Sequence, residues 1–463
     1  VSNPKLIRSQ FHEKQALILG VARSGLAAAK LILYLGGTVV LYDRKSLEEL
    51  QIDQELLTHP KVKSSFGKEE LPDIAFDFAV YSPGIPQNSP LLEAVRKKAI
   101  PLVGELEFAS MYIPCPFAAV SGTNGKTTTV SLLGQMFQDE GFHVEVAGNI
   151  GHPLSEAVMH LSSNDRLVVE VSSFQLESTN SFHPNCAALL NVTPDHIDRH
   201  ETMENYVQLK KHLFHEMNED DLVVLNAADK LCTAMLPDLQ TSVQLFSTKH
   251  PTFDGAYYTN EVIFISRNGH AKKLINRREV FLPGDHNIEN VLAAICLAKY
   301  LGCGDKAIVK ALKEFKGVEH RIELVNTQGN IRYYNDSKGT NPESTMKAVS
   351  SMMGPFVLIA GGYDKQTPFE EMARITIARE NFVGLVVLGD TAKQIATAFE
   401  QAGAHLILYA DSLKEAINLA TSICPEGGNV LYSPACSSFD MFSNYEERGR
   451  IFKHLVCSRD NHV

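Results

Sequence analysis

The chain alternates short apolar runs with longer stretches whose apolar residues fall on one helical face. Gln15-Ala-Leu-Ile-Leu-Gly20 reads as a strand, Leu26, Ala29 and Leu31 as a helix face, and Val39-Val-Leu-Tyr42 as the next strand. Phe78-Ala-Val-Tyr81, Phe117-Ala-Ala-Val120, Leu167-Val-Val-Glu-Val171, Ala187-Ala-Leu-Leu-Asn-Val192 and Leu222-Val-Val-Leu225 repeat the strand pattern. So do Phe356-Val-Leu-Ile-Ala360, Leu385-Val-Val-Leu-Gly389, Leu406-Ile-Leu408 and Asn429-Val-Leu-Tyr432 near the C-terminus. Between them, Val130, Leu133 and Phe137 mark one helix and Val291, Leu292 and Ile295 another, with a further helix over 344–352. Strands alternating with helices predict an α/β fold of parallel sheets, with ligands outside the carboxyl ends of the strands. A length of 463 residues accommodates about three domains. The prolines of Ile113-Pro-Cys-Pro116 suggest one linker and Gly317-Val-Glu-His-Arg321 reads as a hinge. The expected domains are 1–106, 107–318 and 319–463.

The strand ending at Val120 runs into Ser121-Gly-Thr-Asn-Gly-Lys-Thr-Thr128 and then a helix. Strand, glycine loop, Lys-Thr and helix form a phosphate cradle: backbone N–H groups face the anion, and the helix N-terminus adds a positive dipole end. Lys126 would reach the outer phosphates and Thr127 would sit on Mg²⁺. Val120 stands where the usual pattern has its first glycine. Glu170, at the end of an apolar strand, suits a metal ligand or a solvated strand end. Asp and His cluster in Thr193-Pro-Asp-His-Ile-Asp-Arg-His200, including His196. Asn287 and Asn290 share one face near a helix start, as caps or as amides for a nucleotide.

The first hundred residues hold a βαβ unit, Gly20-Val-Ala-Arg-Ser-Gly25, with Asp43-Arg44-Lys45 ending the second strand. Ala22 replaces the middle glycine of the dinucleotide fingerprint, so the unit reads as a scaffold or as a nucleotide or sugar-nucleotide site. Near the C-terminus Lys338, Lys365 and Ser438 stand at strand ends and, with Arg321, suit a carboxylate substrate and phosphate. The composition, 44% hydrophobic and 21% charged, is that of a globular protein. A formal net charge of −11 provides no electrostatic footprint for nucleic acid or an anionic membrane. The eight cysteines lack paired spacing, no apolar run spans a bilayer, and no signal-peptide core is seen. A cytoplasmic enzyme, acting as a monomer, is the expectation.

These motifs resemble the Mur ligases over all three domains. The resemblance rests on Gly122–Thr128, Glu170-Val-Ser-Ser-Phe-Gln-Leu-Glu177, Asn191-Val-Thr-Pro-Asp-His-Ile-Asp198, His286-Asn-Ile-Glu-Asn290, His320-Arg321, Asn335-Asp-Ser-Lys-Gly-Thr-Asn341 and Ser433-Pro-Ala-Cys-Ser-Ser-Phe-Asp-Met-Phe442. The last two point to the branch that adds D-glutamate. It implies a Rossmann-like UDP-binding domain, a P-loop ATPase-type central domain and a Rossmann-like C-terminal domain. It implies amide synthesis from ATP, UDP-N-acetylmuramoyl-L-alanine and D-glutamate through an acyl phosphate, with ADP formed. By resemblance Gly122, Thr123, Asn124, Gly125, Lys126, Thr127, Thr128, Asn287, Asn290, Arg321, Asp336 and Lys338 bind ATP. Thr127, Glu170, His196 and a carbamylated Lys210 hold two Mg²⁺ ions, and Lys126, His196 and Lys210 are catalytic. Lys211 is adjacent, and the Tyr206-x-x-x-Lys spacing favours Lys210. Asp43, Arg44, Lys45, Ser82, Gly84, Asn149 and His196 face the UDP substrate. Thr340, Lys365, Ser438 and Tyr445 hold D-glutamate, although Gly361-Gly-Tyr-Asp-Lys365 departs in detail from the family pattern. Alternatives are another Mur ligase, a folylpolyglutamate synthase-like ligase, or a P-loop switch that hydrolyses nucleotide.

Overall fold

The computed structural model describes residues 13–50, 52–195, 197–282, 284, 286–364 and 367–458, with the backbone alone at 197, 198 and 286. The chain divides into two compact units, 1–315 and 316–463.

The first unit holds two sheets. Strands β1 (Gln15–Leu19), β2 (Thr38–Asp43), β3 (Val62–Phe66), β4 (Phe78–Tyr81) and β5 (Leu102–Gly104) form an all-parallel sheet in the order β3-β2-β1-β4-β5. The second sheet contains β6 (Phe117–Ser121), β7 (Val144–Gly148), β8 (Arg166–Glu170), β9 (Cys186–Leu189) and β10 (Leu222–Asn226). It continues through β11 (Ser242–Ser247), β12 (Gly255–Thr259), β13 (Val262–Arg267) and β14 (His270–Asn276), in the order β14-β13-β12-β11-β10-β9-β6-β8-β7. Its centre is parallel, whereas β12, β13 and β14 pair antiparallel. All five residues of β6 and of β10 are buried, because helices cover both faces.

One apolar core runs between the two sheets. Ile18 and Leu41 of the first sheet and Leu167 and Val169 of the second join Leu106, Phe108, Leu176 and Phe182 from the segments between them. Helix Glu105–Ser110 crosses the expected 106/107 boundary and fastens the sheets together. Glu105 accepts the backbone N–H of Ser155 at 2.8 Å, and Glu107 accepts those of Asn180 and Ser181 at 3.1 and 2.8 Å. Both carboxylates are buried, so these bonds supply the partners that burial requires.

The second unit contains β15 (Glu323–Gln328), β16 (Ile331–Asn335), β17 (Phe356–Ala360), β18 (Phe382–Val387), β19 (Ile407–Tyr409) and β20 (Asn429–Tyr432), in the order β15-β16-β20-β17-β18-β19. The expected third parallel sheet is therefore mixed: β15 pairs antiparallel with β16 at the edge, where a hairpin suffices. Separate apolar cores cover its two faces. Gly317–Arg321, read as a hinge, lies within the irregular stretch 315–322, with positive φ at Gly317, His320 and Ile322.

Candidate active site

Strand β6 delivers the chain into a loop that only glycine fits at two points. Gly122 has φ +150° and Gly125 has φ +86°; the latter precedes helix Lys126–Glu140. A Cβ at Gly125 would lie 2.1 Å from Asn290 Oδ1, so the amide of Asn290 rests against the loop. Asn290 Nδ2 donates to Asn287 Oδ1 at 3.0 Å, which brings together the two amides predicted on one helix face. Lys126 folds back to donate to the carbonyls of Gly122 and Thr123 at 2.7 and 2.8 Å. Asn124 N–H donates to Asn191 Oδ1 at 2.8 Å, bracing the loop from the end of β9.

Next to this loop, Thr127 Oγ1 donates to Glu170 Oε2 at 2.8 Å, and Asn149 Nδ2 donates to Glu170 Oε1 at 2.9 Å. Glu170 is 1% exposed, which removes the reading as a solvated strand end. Asn149, expected to face the sugar-linked substrate, holds the candidate metal carboxylate. A hydroxyl and a carboxylate together offer hard oxygen donors of the kind that suit Mg²⁺.

The adjacent lysines point different ways. Lys211 pairs with Asp238 at 2.6 Å in a partly exposed position. Lys210 is 1% exposed, and its Nζ donates to Ser121 Oγ at 3.0 Å and Gly122 O at 3.1 Å. Burial, reinforced by the charge of Lys126, lowers the Lys210 ammonium from its ordinary value to about 7. Tyr206 completes this wall: its hydroxyl lies 3.2 Å from Thr123 Oγ1. His196 lies outside the described residues.

At the first sheet, Asp43 Oδ2 accepts Val21 N–H at 2.8 Å and Oδ1 accepts Lys45 N–H at 3.1 Å, so this carboxylate holds the glycine turn. Ser82 Oγ donates to Gly20 O at 3.0 Å, placing Ser82 at the same turn, and Gly84 borders open space. Arg44 approaches Glu69 at 3.4 Å and lines a cleft of about 490 Å³ with Glu70, Pro90 and Lys98. Arg199 was not foreseen. It makes a two-point pair with Glu177 at 2.7 and 2.9 Å and donates to Pro83 O at 3.3 Å, joining the rim of the first sheet to the second.

In the second unit Asp336 is buried and accepts Ser433 Oγ at 2.6 Å and Ile322 N–H at 3.2 Å. Burial raises its carboxyl to about 6, against the opposing pull of Ser433 and Arg321. Lys338 Nζ sits 5.9 Å above the Tyr445 ring. Thr340 N–H donates to Lys338 O at 2.9 Å, and Ser438 O accepts the N–H groups of Met441 and Phe442. Lys365 lies outside the described residues. Arg448 was also missed. It occupies the buried stripe of helix Tyr445–Cys457 with Phe452 and Val456, four residues apart, and an arginine on such a stripe was the available sign.

A phosphate loop beside a buried carboxylate and lysine, on parallel sheets, defines a nucleotide-dependent α/β enzyme. Family models for the "Mur ligase middle domain" and the "Mur ligase, glutamate ligase domain" match residues 120–298 and 320–436. The chain belongs to the Mur ligase family. It is 43% identical to the UDP-N-acetylmuramoylalanine–D-glutamate ligase of Thermoanaerobacter pseudethanolicus, over 96% of this chain and 98% of that protein. It is 42% identical to the ligase of the same name from Pelotomaculum thermopropionicum, over 97% and 98%. The fold matches that of UDP-N-acetylmuramate-alanine ligase MurC from Thermotoga maritima, with a TM-score of 0.60 and 19% identity over 97% of this chain and 100% of that one. It also matches MurF ligase from Thermotoga maritima in complex with ADP, at 0.57 and 16% over 98% and 97%.

Proposed function

We propose that this chain is an ATP-dependent, ADP-forming ligase that joins D-glutamate to UDP-N-acetylmuramoyl-L-alanine in peptidoglycan precursor synthesis. The observation that carries the reading is the convergence of Lys126, Thr127, Glu170 and Lys210 on one glycine loop, in a chain similar over nearly its whole length to ligases of that name. A switch protein is set aside by the family. A nucleotide-linked substrate and ATP suit a cytoplasmic, monomeric enzyme.

A carboxylate is a poor electrophile until one of its oxygens can leave. Transfer of the ATP γ-phosphoryl group to the L-alanyl carboxylate makes it an acyl phosphate; the D-glutamate amine then attacks, and phosphate departs with that oxygen. Two anions must meet in the first step, so positive charge at the transferring group lowers the barrier. Lys126 swings from the loop carbonyls to the outer phosphates, while Gly122–Thr128 cradle them with Asn287 and Asn290 beside the nucleotide. Thr127 and Glu170, with His196, would hold Mg²⁺, which neutralises phosphate charge when bound. Burial lowers the Lys210 ammonium to about 7, so the free amine is within reach at neutral pH. Such an amine takes up CO₂, and the resulting carbamate would serve a second Mg²⁺. Arg321, Asp336 and Lys338 are assigned to ATP, and Thr340, Lys365, Ser438 and Tyr445 to D-glutamate. Asp43, Arg44, Lys45, Ser82 and Gly84 are assigned to UDP, and Asn149 acts through Glu170. Substrate labelled with ¹⁸O in the L-alanyl carboxylate should release one labelled oxygen in phosphate. Unlabelled phosphate alongside amide product would reject the acyl-phosphate route.

A further inference from the structure

Arg448 is 1% exposed, yet all three of its described hydrogen bonds go to neutral oxygens. Nε donates to Ser337 Oγ at 3.0 Å, one terminal nitrogen to Ser337 O at 2.8 Å and the other to Cys436 O at 3.0 Å. Among the described residues no carboxylate forms an ion pair with it. The residue lies in the first turn of helix Tyr445–Cys457, where the helix dipole is positive. A buried guanidinium is costly unless it is compensated; here the three bonds satisfy its donors, and the carboxylates of Asp336 and Asp440 lie close enough to feel its charge. Its shape suits a use beyond stability: a planar fork can tie separate loops together.

The three bonded oxygens locate that use. Ser337 begins the turn that carries Lys338 and Thr340, and Ser337 Oγ in turn donates to Tyr445 O at 2.8 Å. Cys436 begins the turn that carries Ser438. A Cβ at Gly362 would fall 3.3 Å from the guanidinium, so the loop after β17 also closes against it. One rigid, planar donor thus sets the spacing of every described segment assigned to D-glutamate: Thr340, Ser438 and Tyr445. Lysine has the charge but not the fork, and could satisfy one turn at a time.

We propose that Arg448 is the positioning residue of the amino-acid pocket: it locks the 337–340 and 436–438 turns at a fixed separation. The proposal rests on the D-glutamate assignment above. Its test compares the wild type with Arg448→Lys and Ser337→Ala, measuring KM for D-glutamate, ATP and UDP-N-acetylmuramoyl-L-alanine separately, with the melting temperature of each. Arg448→Lys is expected to raise KM for D-glutamate more than about tenfold, the size of one charge-assisted hydrogen bond, with KM for the UDP substrate unchanged. Ser337→Ala, which removes one of three acceptors, should move the same constant less. Arg448→Ala should recover part of its D-glutamate affinity when guanidinium is supplied at tens of millimolar. A folded Arg448→Lys protein with an unchanged D-glutamate KM would overturn the proposal. So would a uniform rise in all three constants that tracks melting temperature and resists guanidinium. If the wild type itself does not turn over D-glutamate, the functional reading fails instead, and the same measurements show that separately.

Discussion

Lys210 and Asp336 show how burial sets the chemistry of single residues. Removing water from an ammonium disfavours its charge, and Lys126 adds a like charge, so Lys210 sits near 7 where a surface lysine would remain fully protonated. Lys210→Ala is expected to lower turnover by about two orders of magnitude, the scale of a lost electrostatic stabiliser. Acetate or formate in the assay should restore part of it, and an unaffected variant would remove the carbamate. For Asp336 the sign runs the other way. Its folded carboxyl is raised to about 6, so the native state holds a proton that the unfolded chain releases near 4. Its contribution to stability is complete below about pH 4 and is lost as pH rises through about 6. The difference in unfolding free energy between wild type and Asp336→Asn should therefore fall by roughly 2 kcal/mol from pH 4 to pH 6.5 in urea titrations. A pH-independent difference would contradict the burial argument.

At the scale of elements, the glycine loop works because backbone conformation and a neighbouring amide agree. Gly125 and Gly141 flank the same helix and both have left-handed φ, +86° and +102°. Alanine at either costs about 1–2 kcal/mol in backbone strain. Only at Gly125 does the added Cβ strike Asn290, whereas Gly141 faces open space. Gly125→Ala should raise the KM for ATP severalfold beyond Gly141→Ala at comparable loss of stability; equal effects would mean that the loop plays no part in nucleotide binding. The central strands β6, β10 and β17 were legible in the sequence because they are buried on both faces and read as unbroken apolar runs. The edges were not. β3 is Val-Lys-Ser-Ser-Phe, β14 exposes His270-Ala-Lys-Lys273, and β15 alternates irregularly around a bulge. Such strands are specified by pairing with a neighbour, which local pattern does not record. The glycine loop and Glu170 were legible from motif and strand pattern, whereas Lys210 was singled out by the family resemblance and its spacing from Tyr206. Arg199 and Arg448 were not legible, because their partners are distant in sequence: the Glu177 carboxylate and Pro83 O for Arg199, and Ser337 and Cys436 O for Arg448.

For the whole molecule, the distribution of cores predicts which pieces stand alone. Residues 316–463 have their own sheet with both faces covered, and that fragment should unfold in one cooperative transition. Residues 1–110 share their core with the second sheet and bind it through Glu105 and Glu107. Each Leu or Phe uncovered costs about 2 kcal/mol, so a few suffice to exhaust the 5–15 kcal/mol of a small domain. This fragment should show no cooperative transition by calorimetry; a sharp one would refute the shared core. The ligase assignment itself is tested most directly by ADP release with ATP, Mg²⁺ and UDP-N-acetylmuramoyl-L-alanine, offering D-glutamate, L-glutamate, L-alanine and L-lysine in turn. The account predicts turnover with D-glutamate and background with the other three. Turnover with another acceptor, or ADP release indifferent to both the acceptor and the UDP substrate, would contradict it.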